Sequence, residues 1–349
     1  MSSSTTSTIS SGPSSGAGPA IAPSRARVIA ILGRIAPLIF LFGLVLLFSV
    51  LQPRFLMPLN LFNILRQVSI YGIIAVGMTF VILARGIDLS VGSLVAMTGL
   101  VAAVVAKGGI EGRFALSPDG TGYGWPLAAI AAIIAGTIAG YLQGVAVSRL
   151  AVPAFVVTLG GMTVFRGIAL TIGNGGPVSG FDEAFGWWGR GMIGPVPVPV
   201  IVFAVVALIA HFILTQTRFG RSVYAVGSNP DAARLSGINT ARVTTLVYAV
   251  IGFCSGLGGF VLSARLNSAE AVAGTGYELT AIAAVVIGGT SLHGGTGSII
   301  GTIIGALLTG VLLNGLVILN VSPYVQQILV GLIIVAAVAF DSFVKRQSR

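Results

Sequence analysis

The sequence predicts an all-α polytopic membrane protein of about ten transmembrane helices, and three observations carry that prediction. Of 349 residues, 55% are hydrophobic and only 8% are charged, whereas soluble domains carry about 25% charged residues. Mean hydropathy is +1.00. Apolar segments recur from residue 35 to residue 340, with no interval long enough for a separate soluble domain.

A helix needs about 20 apolar residues to cross roughly 30 Å of hydrocarbon. Ten apolar stretches, bounded by charged or Gly/Pro-rich turns, run 35–51, 67–84, 89–106, 126–148, 150–172, 198–214, 243–264, 279–290, 298–319 and 324–340. The eighth is too short to span alone. The organisation expected is an N-terminal tail over 1–34, one transmembrane domain over 35–341 and a short C-terminal tail over 342–349. Residues 1–24, rich in Ser, Thr, Gly and Pro and without charge, have too little apolar surface to order themselves. Arg25, Arg27 and Arg34 ahead of the first apolar run imitate a signal peptide, but no small-x-small cleavage site follows it. The run is therefore read as an uncleaved first span.

With ten spans both termini share one side, and placing them in the cytoplasm puts 12 Lys and Arg inside against 7 outside, as the positive-inside rule favours. The net charge of +10 is spread singly between apolar stretches, so it reads as membrane-edge charge rather than as a nucleic-acid surface. A lone cysteine, Cys254, excludes an intrachain disulfide. Glycines spaced by four, Gly136, Gly140 and Gly144, then Gly297, Gly301 and Gly305, allow close helix approach in lipid, either within the subunit or between two copies.

The function classes are bounded by what could supply energy or chemistry. The only lysines, Lys107 and Lys345, do not follow a glycine, so there is no phosphate-cradling loop and the chain itself hydrolyses no ATP. All nine Asp and Glu fall at span ends or in loops, Asp88 and Glu278 lying closest to the membrane. This disfavours ion coupling, which usually keeps a carboxylate inside the bundle. His211 and His293 have no partner nearby in sequence for a metal or acid–base cluster.

The longest cytoplasmic loop, 218–242, contains a complete short helix. Asn229 suits the N-cap, Pro230 the first helical position and Asp231 the N-terminal dipole; Ala232, Ala233, Arg234 and Leu235 favour helix, and Gly237 stops it. Two turns are not stable alone in water, so the element docks either on its own bundle or on a partner. Its D-A-A-x-x-x-G core resembles the E-A-A-x-x-x-G of the coupling loop in ATP-binding-cassette importers, with Asp for Glu.

Two longer stretches extend that likeness: N-I-L-R-Q-V-S-I-Y-G-I-I-A-V-G-M-T-F-V-I-L-A-R-G-I-D-L-S-V-G-S from Asn63 to Ser93, and G-T-G-Y-E-L-T-A-I-A-A-V-V-I-G-G-T-S-L-H-G-G-T-G-S from Gly274 to Ser298. With them the chain resembles, from about residue 36 to 340, the permease subunit of ribose/xylose/galactose-type ATP-binding-cassette importers. The resemblance implies the permease fold of these importers, a second permease subunit, separate ATPase subunits on the cytoplasmic face that use ATP and magnesium, and a periplasmic sugar-binding protein. It implies a bacterial inner-membrane location and no cofactor held by this chain. The Ser-rich tail and the external stretch 107–125 are longer than is typical of the family.

Both matching stretches turn through Gly-rich cytoplasmic loops, carrying Arg85, Gly86 and Asp88 in the first and Gly294, Gly295 and Gly297 in the second. Asp88 either caps the third span or pairs with Arg85, and both turns are candidates to contact the ATPase. A sugar path needs hydrogen-bonding groups and few charges. Its candidates are Thr158, Thr163, Asn174, Asn267, Tyr277 and Asn314, each of which has the alternative of bonding a neighbouring helix. The competing function is a stand-alone carrier or facilitator of small polyols, and a third is a membrane scaffold that recruits an ATPase without transport.

Overall fold

The computed structural model describes residues 23–110, 114–116 and 122–347. Residues 1–22 of the tail expected over 1–34, the final two residues and parts of the external stretch 107–125 lie outside the described residues. Contacts divide the chain at Ala36, and the described residues from Pro37 onward form one helical unit.

Helices α1 (Pro23–Leu51), α2 (Pro58–Leu83), α3 (Val91–Ala106), α4 (Gly124–Ser148), α5 (Ala154–Gly173), α6 (Glu183–Arg190) and α7 (Val198–Gln216) make up the first part of the chain. They are followed by α8 (Arg218–Ser228), α9 (Pro230–Leu235), α10 (Thr240–Leu266), α11 (Tyr277–Ile287), α12 (Ile299–Ile318) and α13 (Pro323–Gln347). Every one of the ten apolar stretches coincides with a helix. By length and composition α2, α4, α5, α7, α10 and α12 are able to cross a membrane, while α1, α3, α11 and α13 contribute shorter apolar segments. Helix α1 starts at Pro23 and α13 runs to Gln347, so helix extends into both segments expected as tails.

Burial follows composition. In α2 every residue from Val68 to Leu83 is buried, as befits a helix that is apolar on all sides. Helix α10 packs against α2, α3 and α4, and glycine makes the approach to α4 possible. A Cβ added at Gly140 would sit 2.9 Å from the Gly252 Cα, and one at Gly136 would sit 3.0 Å from the Gly256 Cα. Gly305 meets α11 in the same way, its added Cβ 2.9 Å from the Gly288 nitrogen. These glycine faces are thus filled within the chain. Helix α5 packs on α3 but leaves Phe155, Val156, Leu159, Val164 and Ile168 exposed.

The eighth apolar stretch is short for a topological reason. After α10, residues 267–276 return into the bundle, where a Cβ at Gly274 would lie 2.7 Å from the Gly92 oxygen and 3.3 Å from Val95 of α3. Only then does α11 begin, with 11 residues, about 16 Å at 1.5 Å per residue. The returning segment is tied down by a two-residue antiparallel ladder, Val178 opposite Ala269 and Ser179 opposite Ser268.

Candidate functional site

The loop between α7 and α10 folds as two helices in sequence. Thr217 caps α8 by accepting from the Gly220 N–H at 3.1 Å. The backbone then breaks at Asn229, whose φ of −156° is extended, and the Asn229 side-chain oxygen caps α9 by accepting from the N–H groups of Asp231 at 3.1 Å and Ala232 at 3.0 Å. Pro230 occupies the first helical position. Gly237, at φ +83°, closes the helix while the Ile238 N–H returns to the Ala233 carbonyl at 3.0 Å, an arrangement that favours glycine because L side chains rarely take that conformation. Ala233 alone in α9 is buried. Asp231 and Arg234 form an exposed pair at 3.1 Å, and Leu235 is 89% exposed.

Both Gly-rich turns converge on the junction of α8 and α9. Arg85 donates from Nε to the Gly227 carbonyl at 2.7 Å and from its terminal nitrogen to the Ser228 carbonyl at 2.6 Å, neutralising two of the open carbonyls at the α8 C-terminus. From the second turn, the Gly295 N–H donates to the Leu83 carbonyl at 3.0 Å, and Tyr224 of α8 donates its hydroxyl to the Gly297 carbonyl at 2.8 Å. Burial pushes the Tyr224 phenol above its ordinary pKa. Contact is close enough that a Cβ at Gly227 would lie 2.6 Å from the Gly295 nitrogen, and one at Gly294 would lie 2.8 Å from the Gly227 oxygen. Gly86 lies beneath Tyr248, whose hydroxyl donates to the Ile87 carbonyl at 3.0 Å. Three segments far apart in sequence thus form one interlocked node.

Asp88 takes neither partner in the way the sequence suggests. Arg85 is committed to α8, so no Arg85–Asp88 pair forms. Asp88 is buried completely, and one carboxylate oxygen accepts from the Ser90 N–H at 2.8 Å and the Ser90 hydroxyl at 2.6 Å. Gln143 of α4 joins through a 3.0 Å bond to the Ser90 oxygen. The second carboxylate oxygen has no hydrogen-bond partner among the described residues. Desolvation pushes the Asp88 carboxyl up to about 6 against the opposing pull of the Ser90 bonds. Asp88 is thus buried within the fold, but at the turn between α2 and α3, the span end where the sequence places it.

The candidate path residues are spread over α5, α10, α11 and α12. Thr158 is buried and bonds its own helix at Ala154, and Thr163 does the same at Leu159. Asn174 and Asn267 end α5 and α10 in the left-handed conformation, Asn267 also accepting from the Phe181 N–H at 3.2 Å. The ring of Tyr277 stands edge-on to Tyr71 with centroids 6.3 Å apart, and Asn314 exchanges hydrogen bonds with Asn60 at 2.9 and 3.0 Å. One functional candidate escaped the sequence reading. Arg166 falls within the fifth apolar stretch and stands inside α5. Its signal was a single charge in an otherwise apolar crossing helix.

No group of His, Cys, Asp and Glu suited to a metal occurs among the described residues. The chain matches a family model described as "Branched-chain amino acid transport system / permease component" over residues 60–338. It belongs to this permease family. Ribose import permease protein RbsC of Escherichia coli (strain K12) is 48% identical, covering 87% of this chain and 92% of the relative. RbsC of Bacillus subtilis (strain 168) is 42% identical over 89% of this chain and 93% of its own length. The E. coli K12 D-allose transport system permease protein AlsC is 39% identical over 87% of this chain and 90% of its own length. No solved structure matches the chain. Members of the family are transport permeases rather than enzymes, and this chain is a multi-pass membrane protein of that kind.

Proposed function

We propose that this chain is the membrane-spanning subunit of an ATP-driven importer that passes a pentose or hexose across the bacterial inner membrane. Ten crossings, by α1, α2, α3, α4, α5, α7, α10, α11, α12 and α13, leave both termini in the cytoplasm. The observation that carries the reading is α9, a capped two-turn helix that sets Leu235 in water at 89% exposure while its base is locked to both Gly-rich turns. A helix this short is not stable alone in water, so a capped α9 with one buried residue and an exposed outer face fits an element seated in a partner. That partner is the ATPase subunit, which holds ATP and magnesium; this chain holds no cofactor and no nucleic acid. The rigid node would pass the motion of the ATPase to α2, α3 and α12, whose ends form the turns.

A second copy of the chain completes the permease, and a periplasmic sugar-binding protein delivers the substrate, as the resemblance to sugar importers implies. The sugar named for each relative belongs to that relative, so ribose is the first sugar to try here. The test is uptake into proteoliposomes. Uptake requires the ATPase, the binding protein and ATP together, and uphill uptake by the purified chain alone would overturn the proposal. A stand-alone carrier is the second reading, favoured by the buried carboxylate of Asp88 with one open oxygen. It predicts uptake driven by a proton gradient without ATP.

A further inference from the structure

Helix α5 has 20 residues, about 30 Å of rise and enough to cross the hydrocarbon core. Arg166 lies seven residues before its C-terminal end at Gly173, so about 10 Å inside that end at 1.5 Å per residue. Its side chain is only half-buried, and Thr163, Val164, Gly167 and Ile168 around it are exposed. A guanidinium at such a depth is costly unless it faces water or protein acceptors. Arg166 has acceptors, and all of them lie on the segment that returns into the bundle after α10. It donates to the Ala271 carbonyl, to the Ala273 carbonyl at 3.4 Å and to the Thr275 hydroxyl at 3.3 Å.

That segment is non-helical, with Gly274 and Gly276 at φ +69° and +83°. Irregular backbone at membrane depth is tolerated only where protein buries it or where it lines a water-filled cavity. Beyond it, Glu278 in the first turn of α11 accepts from the Gly276 N–H at 3.3 Å and packs against Gly92 of α3. Thr275, which Arg166 holds, stands three positions before Glu278 at the tip of the returning segment. A neutral polyol offers oxygens to a guanidinium and hydroxyls to a carboxylate. A charged ligand would satisfy one of these groups and repel the other.

Building on the transport reading, we infer that Arg166, Thr275 and Glu278 form the sugar-contacting constriction of the translocation path. Arg166 latches the returning segment across the path and exchanges the Ala271 and Ala273 carbonyls for sugar oxygens when the segment withdraws.

The test uses the full permease with its ATPase in proteoliposomes, purified binding protein and radiolabelled D-ribose, with the other sugars named for the relatives as alternates. Arg166→Gln lowers uptake by about tenfold while the complex still assembles and hydrolyses ATP, and Arg166→Lys recovers most of it. Uptake by Arg166→Gln equal to wild type overturns the inference. In parallel, Thr275→Cys with Arg166 intact reacts with a membrane-impermeant thiol reagent more slowly when sugar-loaded binding protein and ATP are present. No labelling, or labelling indifferent to sugar, places the segment away from the path and also overturns the inference, even if the Arg166 variants fail to fold. Failure of the wild-type complex to import any of these sugars is a separate result and sinks the transport reading itself.

Discussion

Arg85 and Gly227 are joined by a 2.7 Å hydrogen bond across 142 positions of sequence. With the companion bond to Ser228 it fastens the turn between α2 and α3 to the C-terminal end of α8. Arg85 itself adopts φ +64°, a conformation uncommon for a residue with a Cβ, so the turn holds a strained residue in order to place its guanidinium.

Replacing Arg85 with alanine removes both bonds and leaves the carbonyls at the end of α8 open. Bonds to charged groups contribute about 1.5–3 kcal/mol each when sheltered, and this pair is partly exposed, so the loss expected is about 2 kcal/mol in all. A lowered melting temperature in detergent and a fall in ATP-coupled uptake check it. Unchanged coupling in Arg85→Ala would detach the turn from the proposed transmission.

Asp88 gives a pH prediction. Its folded-state carboxyl titrates at about 6, above the ordinary value near 3.9, so between these values the folded chain binds more protons than the unfolded one. Stability is greatest below about pH 4 as far as this group is concerned, and falls as pH rises through about 6. Asp88→Asn should therefore stabilise the fold at pH 7.5 by up to about 3 kcal/mol, seen as a higher melting temperature, and lose that advantage at about pH 4. Melting curves at the two pH values decide it; an advantage that does not shrink in acid would mean the carboxylate is not the cost.

On α9, Arg234→Glu and Leu235→Ser change side chains that are largely exposed. Exposed pairs contribute about 0–1 kcal/mol, so neither variant should disturb the fold. Both should reduce co-purification of the ATPase and coupled uptake. Gly237→Pro, at φ +83°, is closed to proline, whose φ is fixed near −65°, and should uncouple more severely. Full retention of the ATPase by all three would remove α9 from the interface.

Two glycines test where the small-residue faces are used. Gly140→Leu drives a side chain into the backbone of Tyr248 and Gly252, and overpacking of about 1–3 kcal/mol or more is expected, seen as loss of folded yield. Gly167 has nothing within 4 Å of an added Cβ, so Gly167→Leu should fold normally. If a second copy packs on α5, the same variant shifts cross-linked dimer to monomer; dimer unaffected by Gly167→Leu would place that contact elsewhere.

Much of the architecture was legible because membrane burial is written in composition. Each apolar stretch became a helix, and the N-cap and stop of α9 were readable because capping is local chemistry between residues two or three apart. The surroundings of Asp88 were not legible, since its neighbours in sequence are a loop and the groups that close over it come from distant helices, Gln143 of α4 by way of Ser90 and Tyr248 of α10 at Ile87. Arg166 was visible as a charge in an apolar run, but what it holds lies 105 positions away at Ala271.

By itself, then, the sequence determined that this chain lives in a membrane as apolar helices, that it lacks the loop to use ATP, and that one short capped helix stands in its longest charged loop. Those properties follow from residue type and near-neighbour spacing. Only the tertiary structure decided that Arg85 serves α8 instead of Asp88, that the glycine faces are consumed between α4 and α10 and between α11 and α12, and that residues 267–276 return into the bundle to meet Arg166. Those are choices among partners distant along the chain, and helix packing, not local propensity, selects among them.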